Sequence, residues 1–588
     1  MFRKKRPSAA RAHETVEEMG RILGVLAGSA KADTLLKNVL LVNVFSGEVL
    51  QTNILLVGGR IAGVGTEYTD AARVYDLEGA YAIPGLIDGH VHIESSMLSV
   101  PEFARAVVPH GTTSIVADPH EIANVLGLRG VRYVLDSTTN LPLSIFLTAP
   151  SCVPASDKET TGASLRLADV RKLLCDERVV GLAEMMDYPG VLAKSPEVLA
   201  KVEAALEEGR VVDGHAPELG GKELDMYIAV GMGSDHECVG ASEALEKLRK
   251  GMHIMVREGS SAMNLEDLLP AITRETSRRC FFVTDDTSPL DLMERGHIDH
   301  ILRKAVRLGL PPVTAIQMAS LNAAEYFGLR GRGAIGPGYY GDIVIVDDLW
   351  NFRARMVFRE GRLVARDGSM VVELPRPRGG LATRTMRVKP LKLEDVAIRI
   401  PGERARVIGV LPHQLITQSL VEKVTTEDGA VRTDVERDIL KTAVVERHRG
   451  TGNVGLGLVK GFGLQRGAIA SSVAHDSHNI IALGVTDADL VSAIEAVAGM
   501  GGGQVVVEGG KVLAKLALPI AGIMSSGTME HVNGALLSLR KACRQLGSPV
   551  ENPFAILSLL ALPVIPVLKI TDMGLVDVER FAIVPVGV

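Results

Sequence analysis

Two histidines one residue apart, His90 and His92, close the run Ile83-Pro84-Gly85-Leu86-Ile87-Asp88-Gly89-His90-Val91-His92. The apolar residues before them and the Pro84-Gly85 turn signal predict a buried strand. A strand alternates its side chains, so both imidazoles point to the same side. Two imidazoles so placed can hold one divalent ion. A surface pair or two satisfied core histidines would show the same spacing, so the reading depends on further ligands. Glu184, His215, His236 and Asp285 supply them. Four imidazoles and two carboxylates suffice for two adjacent divalent ions if one carboxylate bridges, and such a set suits zinc, manganese or iron rather than Cu(I). A water between two ions loses its proton near neutral pH and becomes a strong nucleophile. Asp285 is the group to take that proton and pass it to a leaving group. The alternative for the segment Asp285-Asp286-Thr287-Ser288-Pro289 is a helix cap or turn, a role that suits Asp286 or Ser288.

These residues meet only if strands end where they stand. Eight candidate strands end near His92, Asp118, Thr148, Glu184, His215, His236, Glu258 and Asp285, with helical stretches such as 196–208 and 242–250 between them. This alternation predicts a parallel α/β fold, and eight units predict a (β/α)8 barrel with its active site at the C-terminal strand ends. Strand interiors are apolar, as in Ile115-Val116-Ala117 and Phe281-Phe282-Val283. The ends carry Asp118-Pro119-His120-Glu121, Glu184, His215, His236-Glu237, Arg257-Glu258 and Asp285-Asp286.

A helical pattern (Val16, Met19, Ile22, Leu23, Leu26) comes first, then short β-rich runs at 34–44, 53–57 and 60–64. Similar runs return at 341–346 and 356–364, which predicts a flanking β-sandwich built from both ends of the barrel. After a linker at 375–380 the pattern restarts beyond Pro390. Strands at 469–473 and 504–507 surround a helix at 487–497, which predicts a C-terminal α/β domain. The expected division is 1–83, 84–335, 336–385 and 386–588. The Gly-rich loop 499–503 follows a helix rather than opening one, so it reads as a turn and not a phosphate site.

At 588 residues the chain is too long for one core, and 46% hydrophobic with 23% charged residues is ordinary for a soluble protein. A net charge of -6 and 4% aromatics give neither a basic face nor a stacking platform, so neither nucleic acid nor a membrane surface is expected as partner. The five cysteines are scattered without Cys-x-x-Cys. That argues against structural zinc, a disulfide framework and the His/Cys/Cys deaminase design, and points to a reducing cytoplasm. The basic start, 1–7, has no apolar core after it and reads as a solvated tail. Pro563 and Pro566 break the apolar run 554–568, so no membrane span is expected.

The segment from Pro84 to His92 resembles the opening strand of the amidohydrolase superfamily, metal-dependent hydrolases on a β/α barrel with a flanking β-sandwich. The resemblance implies that His90 and His92 bind a first metal, His215 and His236 a second, and Asp285 the hydroxide they share. Many members bridge the metals with a carboxylated lysine on the fourth strand. Gly181-Leu182-Ala183-Glu184-Met185-Met186 offers none, so Glu184 takes that role. From about residue 34 onward the chain is similar to the bacterial adenine deaminase family. The similarity lies in His90-Val91-His92-Ile93-Glu94-Ser95-Ser96, Asp118 to Asn124, Gly181 to Asp187, Asp213-Gly214-His215-Ala216, Ser234-Asp235-His236-Glu237, Thr284-Asp285-Asp286 and Ala474-His475-Asp476-Ser477-His478-Asn479.

This similarity implies hydrolysis of free adenine to hypoxanthine and ammonia in purine salvage, two divalent ions (manganese or iron, with zinc as the alternative), and a homodimer or larger assembly. Another amidohydrolase reaction, on a cyclic amide or a different aminopurine, would use the same groups. A non-catalytic scaffold would not need them. Glu237, Glu121 and His120 are all candidates to protonate a purine ring nitrogen, and the sequence does not rank them. The plain reading of Asp118-Pro119-His120-Glu121 is a strand-to-helix turn. Arg257 and Glu258 read either as purine contacts or as a solvated ion pair. For His475, Asp476 and His478 a domain interface comes first, substrate closure second and a further metal cluster third.

Overall fold

Eight short runs, apolar except for the two-residue β6, fold as strands whose neighbours lie parallel: β1 (Leu86–Val91), β2 (Thr112–Ala117), β3 (Ser144–Ala149), β4 (Val179–Met185), β5 (Val211–Gly214), β6 (Ser234–Asp235), β7 (His253–Arg257) and β8 (Cys280–Val283). The computed structural model describes residues 9–260, 262–377, 381–411 and 416–588. The basic start 1–7, and Arg378, Gly379 and Gly380 of the expected linker, lie outside the described residues. Strands β1 to β5 form one five-stranded sheet in the order β5-β4-β3-β2-β1, and β6-β7-β8 form a second. The two sheets touch at both ends. The Gly233 N–H donates to the Val212 carbonyl, the Asp285 N–H to the His90 carbonyl, and the His92 N–H to the Asp285 carbonyl.

Every position of β1, β2, β4 and β8 is buried, as parallel strands covered on both faces require. Ile87, Val116, Val180, Met255, Phe281 and Val283, drawn from both sheets, share one buried cluster with Phe327 and Leu329. Gly89 makes room for it, since a Cβ there would stand 2.5 Å from the Phe281 ring. The surrounding helices bury a second, larger set that includes Ile115, Leu147, Leu182 and Val212.

The runs before β1 and after β8 pair into a single mixed sheet of nine strands. Its central contact joins Tyr81–Pro84 antiparallel to Ile343–Val346, which holds the two flanks together far apart in sequence. Ile54 and Leu56 share a buried cluster with Ile343, Ile345, Met356 and Phe358 although several strands separate them in the sheet order, so the sheet curls around its own core. The first helix, Ala9–Leu26, forms where the spacing predicts it. Of its apolar row only Ile22 packs, together with Val25, while Val16, Met19, Leu23 and Leu26 are exposed.

The C-terminal part is an eight-stranded sheet. Helix Asp487–Gly499 lays Leu490, Ile494 and Val497 on Ile480, Ala482 and Val505. Gly501, Gly502 and Gly503 all have positive φ, and the loop they form is a turn between that helix and the strand Gly503–Glu508. The apolar run at 554–568 divides between helix Pro553–Leu559 and the approach to strand Leu568–Thr571. Among the described residues no helix is long and apolar enough to cross a membrane.

Gly259 tests how tightly the β8 end is held. A Cβ there would lie 2.3 Å from the Thr284 carbonyl oxygen and 2.6 Å from that of Asp286. Gly259→Ala is expected to cost about 1–3 kcal/mol, read as a lower thermal midpoint. Gly534→Ala, in helix Met529–Gln545 with nothing near its Cβ, should leave the midpoint unchanged or raise it.

Candidate active site

The C-terminal strand ends converge on one carboxylate. Glu184, next to last in β4, is buried with its two oxygens facing different sets of imidazoles. Oε1 lies 3.4 Å from His92 Nε2, 3.6 Å from His120 Nδ1 and 3.9 Å from His90 Nε2. Oε2 lies 2.6 Å from His215 Nδ1 and 3.2 Å from His236 Nε2. Asp285, just past β8, places Oδ1 3.1 Å from His92 Nε2 and 3.7 Å from His90 Nε2. The six expected ligands therefore meet at one point. Burial pushes the Glu184 carboxyl up, but His236, His215 and His92 outweigh it and hold the group well below the usual carboxylate range. Asp285 follows the same logic: burial opposes its charge, and His92 and Arg257 keep it ionised.

The arrangement fits a metal centre. His90, His92 and Asp285 form one compact donor group, and His90, Glu184 and His236 another. His215, His236 and Glu237 form a third, and His92, Asp118, His120 and Glu184 a fourth. His90 Nε2, which faces Glu184 at 3.9 Å and Asp285 at 3.7 Å, is buried without a hydrogen-bond partner. Buried polar atoms are nearly always satisfied, so an unpaired nitrogen aimed at this cluster marks a ligand position. Burial, with His236 and His92 beside it, keeps His90 neutral and its lone pair available.

Neighbouring groups set the orientation of the donors. Asp88 accepts the His90 N–H at 3.2 Å and the Thr284 hydroxyl at 2.5 Å, tying β1 to β8. His92 Nδ1 lies 3.0 Å from the Asp118 carbonyl oxygen, which turns Nε2 toward the cluster. Asp285 takes no part in capping. That role falls to Ser288, which accepts the Asp291 N–H at the start of helix Pro289–Glu294.

Arg257 and Glu258 are not a solvated ion pair. Both are buried, and as consecutive residues at a strand end they point apart. Arg257 donates from Nη1 to Asp285 Oδ2 at 2.9 Å and grips both oxygens of Glu237. Glu258 pairs with Lys304 and accepts the Leu265 N–H. Burial opposes the Glu237 charge as well, yet His215 and Arg257 hold that carboxyl far below its ordinary value.

Glu121 sits between His120 and the C-terminal motif, with Oε1 3.6 Å from His120 Nε2. Helix His120–Leu126 starts at Asp118-Pro119 without a side-chain cap. His120 Nδ1 lies 3.0 Å from Asp118 Oδ2, while Glu121 bonds His475 Nδ1 through Oε1 at 2.5 Å and His478 Nε2 through Oε2. The C-terminal motif is thus docked on the helix that carries His120. Asp118 and Arg257 join the site as well. Both carry the same signal, a polar residue at the end of an apolar strand; the sequence reads Arg257 as a purine contact or a solvated ion pair, and the structure sets it on Asp285 and Glu237.

A parallel α/β unit whose strand ends gather histidines around one carboxylate defines a metal-dependent hydrolase of the amidohydrolase type. Residues 81–364 match the model of the Amidohydrolase family, and residues 414–582 that of the Adenine deaminase C-terminal domain. The adenine deaminase of Dehalococcoides mccartyi is 49% identical, the match covering 96% of this chain and 99% of that protein. That of Desulfatibacillum aliphaticivorans is 50% identical over 95% of this chain and 98% of that protein. That of Methanothrix thermoacetophila is 48% identical over 96% and 98%. The chain belongs to the adenine deaminase family.

Because one carboxylate faces both histidine sets, Glu184→Ala is expected to lower bound divalent metal more than any single histidine substitution. Elemental analysis of the purified protein checks this, with a loss of more than about half the wild-type content expected for a shared ligand.

Proposed function

We infer that this protein is an adenine deaminase, hydrolysing adenine to hypoxanthine and ammonia in purine salvage. One observation carries the chemical reading: Asp285 stands with one oxygen on His92 and the other on Arg257, at the edge of the Glu184 cluster. His90, His92 and Asp285 would hold one divalent ion, and His215 and His236 the other, with Glu184 between. Manganese or iron is the proposed native metal, with zinc as the alternative for the same nitrogen and oxygen donors. When bound, such ions supply the Lewis acidity that lets water attack at neutral pH.

The protein's own residues handle the protons. Asp285, held ionised, accepts a proton from the attacking water and delivers it to the departing amine of the tetrahedral intermediate. Arg257 fixes the carboxylate in place for both transfers. Of the three candidates for protonating the ring, Glu237 is taken by Arg257 and Glu121 by His475 and His478. Burial works against a charge on His120, but Asp118 and Glu121 outweigh it and lift its pKa well above the usual value. We assign ring protonation to His120, which recovers a proton when the hydroxyl of the intermediate becomes the carbonyl of hypoxanthine. Glu237 and Glu121 then act as ionised acceptors that position their neighbours.

The two parallel sheets read as one closed (β/α)8 barrel, supported by the hydrogen bonds at both junctions and the cluster they share. The curled nine-stranded sheet reads as its flanking β-sandwich. We divide the chain into 1–83, 84–335, 336–385 and 386–588. The five unpaired cysteines support a cytoplasmic enzyme. A homodimer or larger assembly is proposed, in which Val16, Met19 and Leu23 of the first helix would be covered.

Ammonia and hypoxanthine release from adenine by manganese-loaded protein tests the function. Turnover is expected in the wild type, with a loss of at least about 10²-fold in kcat for Asp285→Asn. No turnover by folded, metal-loaded wild type would remove adenine as the substrate.

A further inference from the structure

The loop from Ala474 to Asn479 is pinned on nearly every side. His475 and His478 are held by Glu121. The Ser477 carbonyl oxygen lies 2.7 Å from His448 Nε2, and the His478 carbonyl accepts from Arg447 Nε. The Asn479 amide donates to the Thr160 carbonyl at 2.8 Å and to Asp572 Oδ1 at 3.3 Å. Asp476 is different. It is only 4% exposed, and its Oδ2 is buried without a hydrogen-bond partner. Its Oδ1 lies 3.9 Å from His475 Nδ1, and the charged groups acting on it are His120, Glu121, His475 and Glu184 together with Glu159. None of the ligand groups described above includes it.

A buried carboxylate oxygen with no donor is unfavourable, and a loop fastened at His475, Ser477, His478 and Asn479 cannot turn it to water. The free purine brings N–H donors, on its amino group and its five-membered ring. It must also enter beside His120 and Glu184 for its amino-bearing carbon to reach Asp285. We propose that Asp476 is a substrate-binding residue that accepts a hydrogen bond from an N–H of the purine, so that the C-terminal domain completes the binding site. This rests on the adenine deaminase reading. The competing explanation is a structural acid pair with Glu159, a buried neighbour of Asp476.

The test uses full-length, metal-loaded wild type, D476A and D476N, with kcat and KM for adenine, metal content and thermal midpoint measured for each. Wild type that does not turn over adenine defeats the functional reading and not the role of Asp476. With an active wild type, D476A is expected to raise KM at least about tenfold, the value of a hydrogen bond to a charged group, with a smaller change in kcat and unchanged metal content. D476N, whose amide oxygen still accepts, should fall between. A KM within twofold of wild type in the variants, or a rise that tracks metal loss, overturns the proposal. A lower midpoint with unchanged KM overturns it in favour of the pair with Glu159. If D476A does not fold, D476N carries the test, and an unchanged KM again overturns it.

Discussion

A carboxylate taken out of water costs several kcal/mol unless positive charge or hydrogen-bond donors surround it, and Glu184 is buried at the meeting point of the strands. Its compensation comes from far along the chain: His90 in β1 and His92 just after it, His120 after β2, His215 after β5 and His236 after β6. The strand ends must therefore stop at one level for this charge to be tolerated. The supports behind it serve that end. Ser151 donates to the Glu184 carbonyl, and Lys201 Nζ donates to the Ser151 carbonyl at 2.8 Å.

The same need for compensation joins the C-terminal domain to the site. Glu121 is buried, and its two oxygens are satisfied by imidazoles from the far end of the chain. Arg447 completes the joint from behind. Its guanidinium is buried without a carboxylate and spends its donors on the His478 and Ala521 carbonyls and the Thr385 hydroxyl. Five donors in a rigid fork suit fixing the backbone of a loop.

Of the non-glycine residues with left-handed φ spread along the chain, two stand at these same places. Asp285 has φ 58° and His478 φ 55°, left-handed values that cost a non-glycine residue roughly 1–3 kcal/mol. Each is held by contacts on more than one side. Asp285 has Arg257 and His92 on its side chain and backbone bonds to His90 and His92. His478 has Glu121 at one end and Arg447 at the other. Where the surroundings overdetermine a conformation, the strain persists and places a side chain that an ordinary turn would aim elsewhere.

Local pattern in the sequence determined the strands and what stands at their ends. An apolar interior closing on a polar residue is written within six or seven positions, so the eight strand ends and the gathered His90, His92, Glu184, His215, His236 and Asp285 were legible before any coordinates. The pairing of the two flanks into one sheet was legible for the same reason. Which charged group answers which was decided only by the tertiary structure. Glu121, 3.6 Å from its neighbour His120, also takes His475 and His478 from the far end of the chain. Arg257 and Glu258, adjacent in the chain, serve different partners. The apolar row of the first helix predicted the helix, but of that row only Ile22 lies in its contact face. A side chain's direction follows from its own backbone, whereas its partner depends on packing between segments hundreds of residues apart, which no local periodicity encodes.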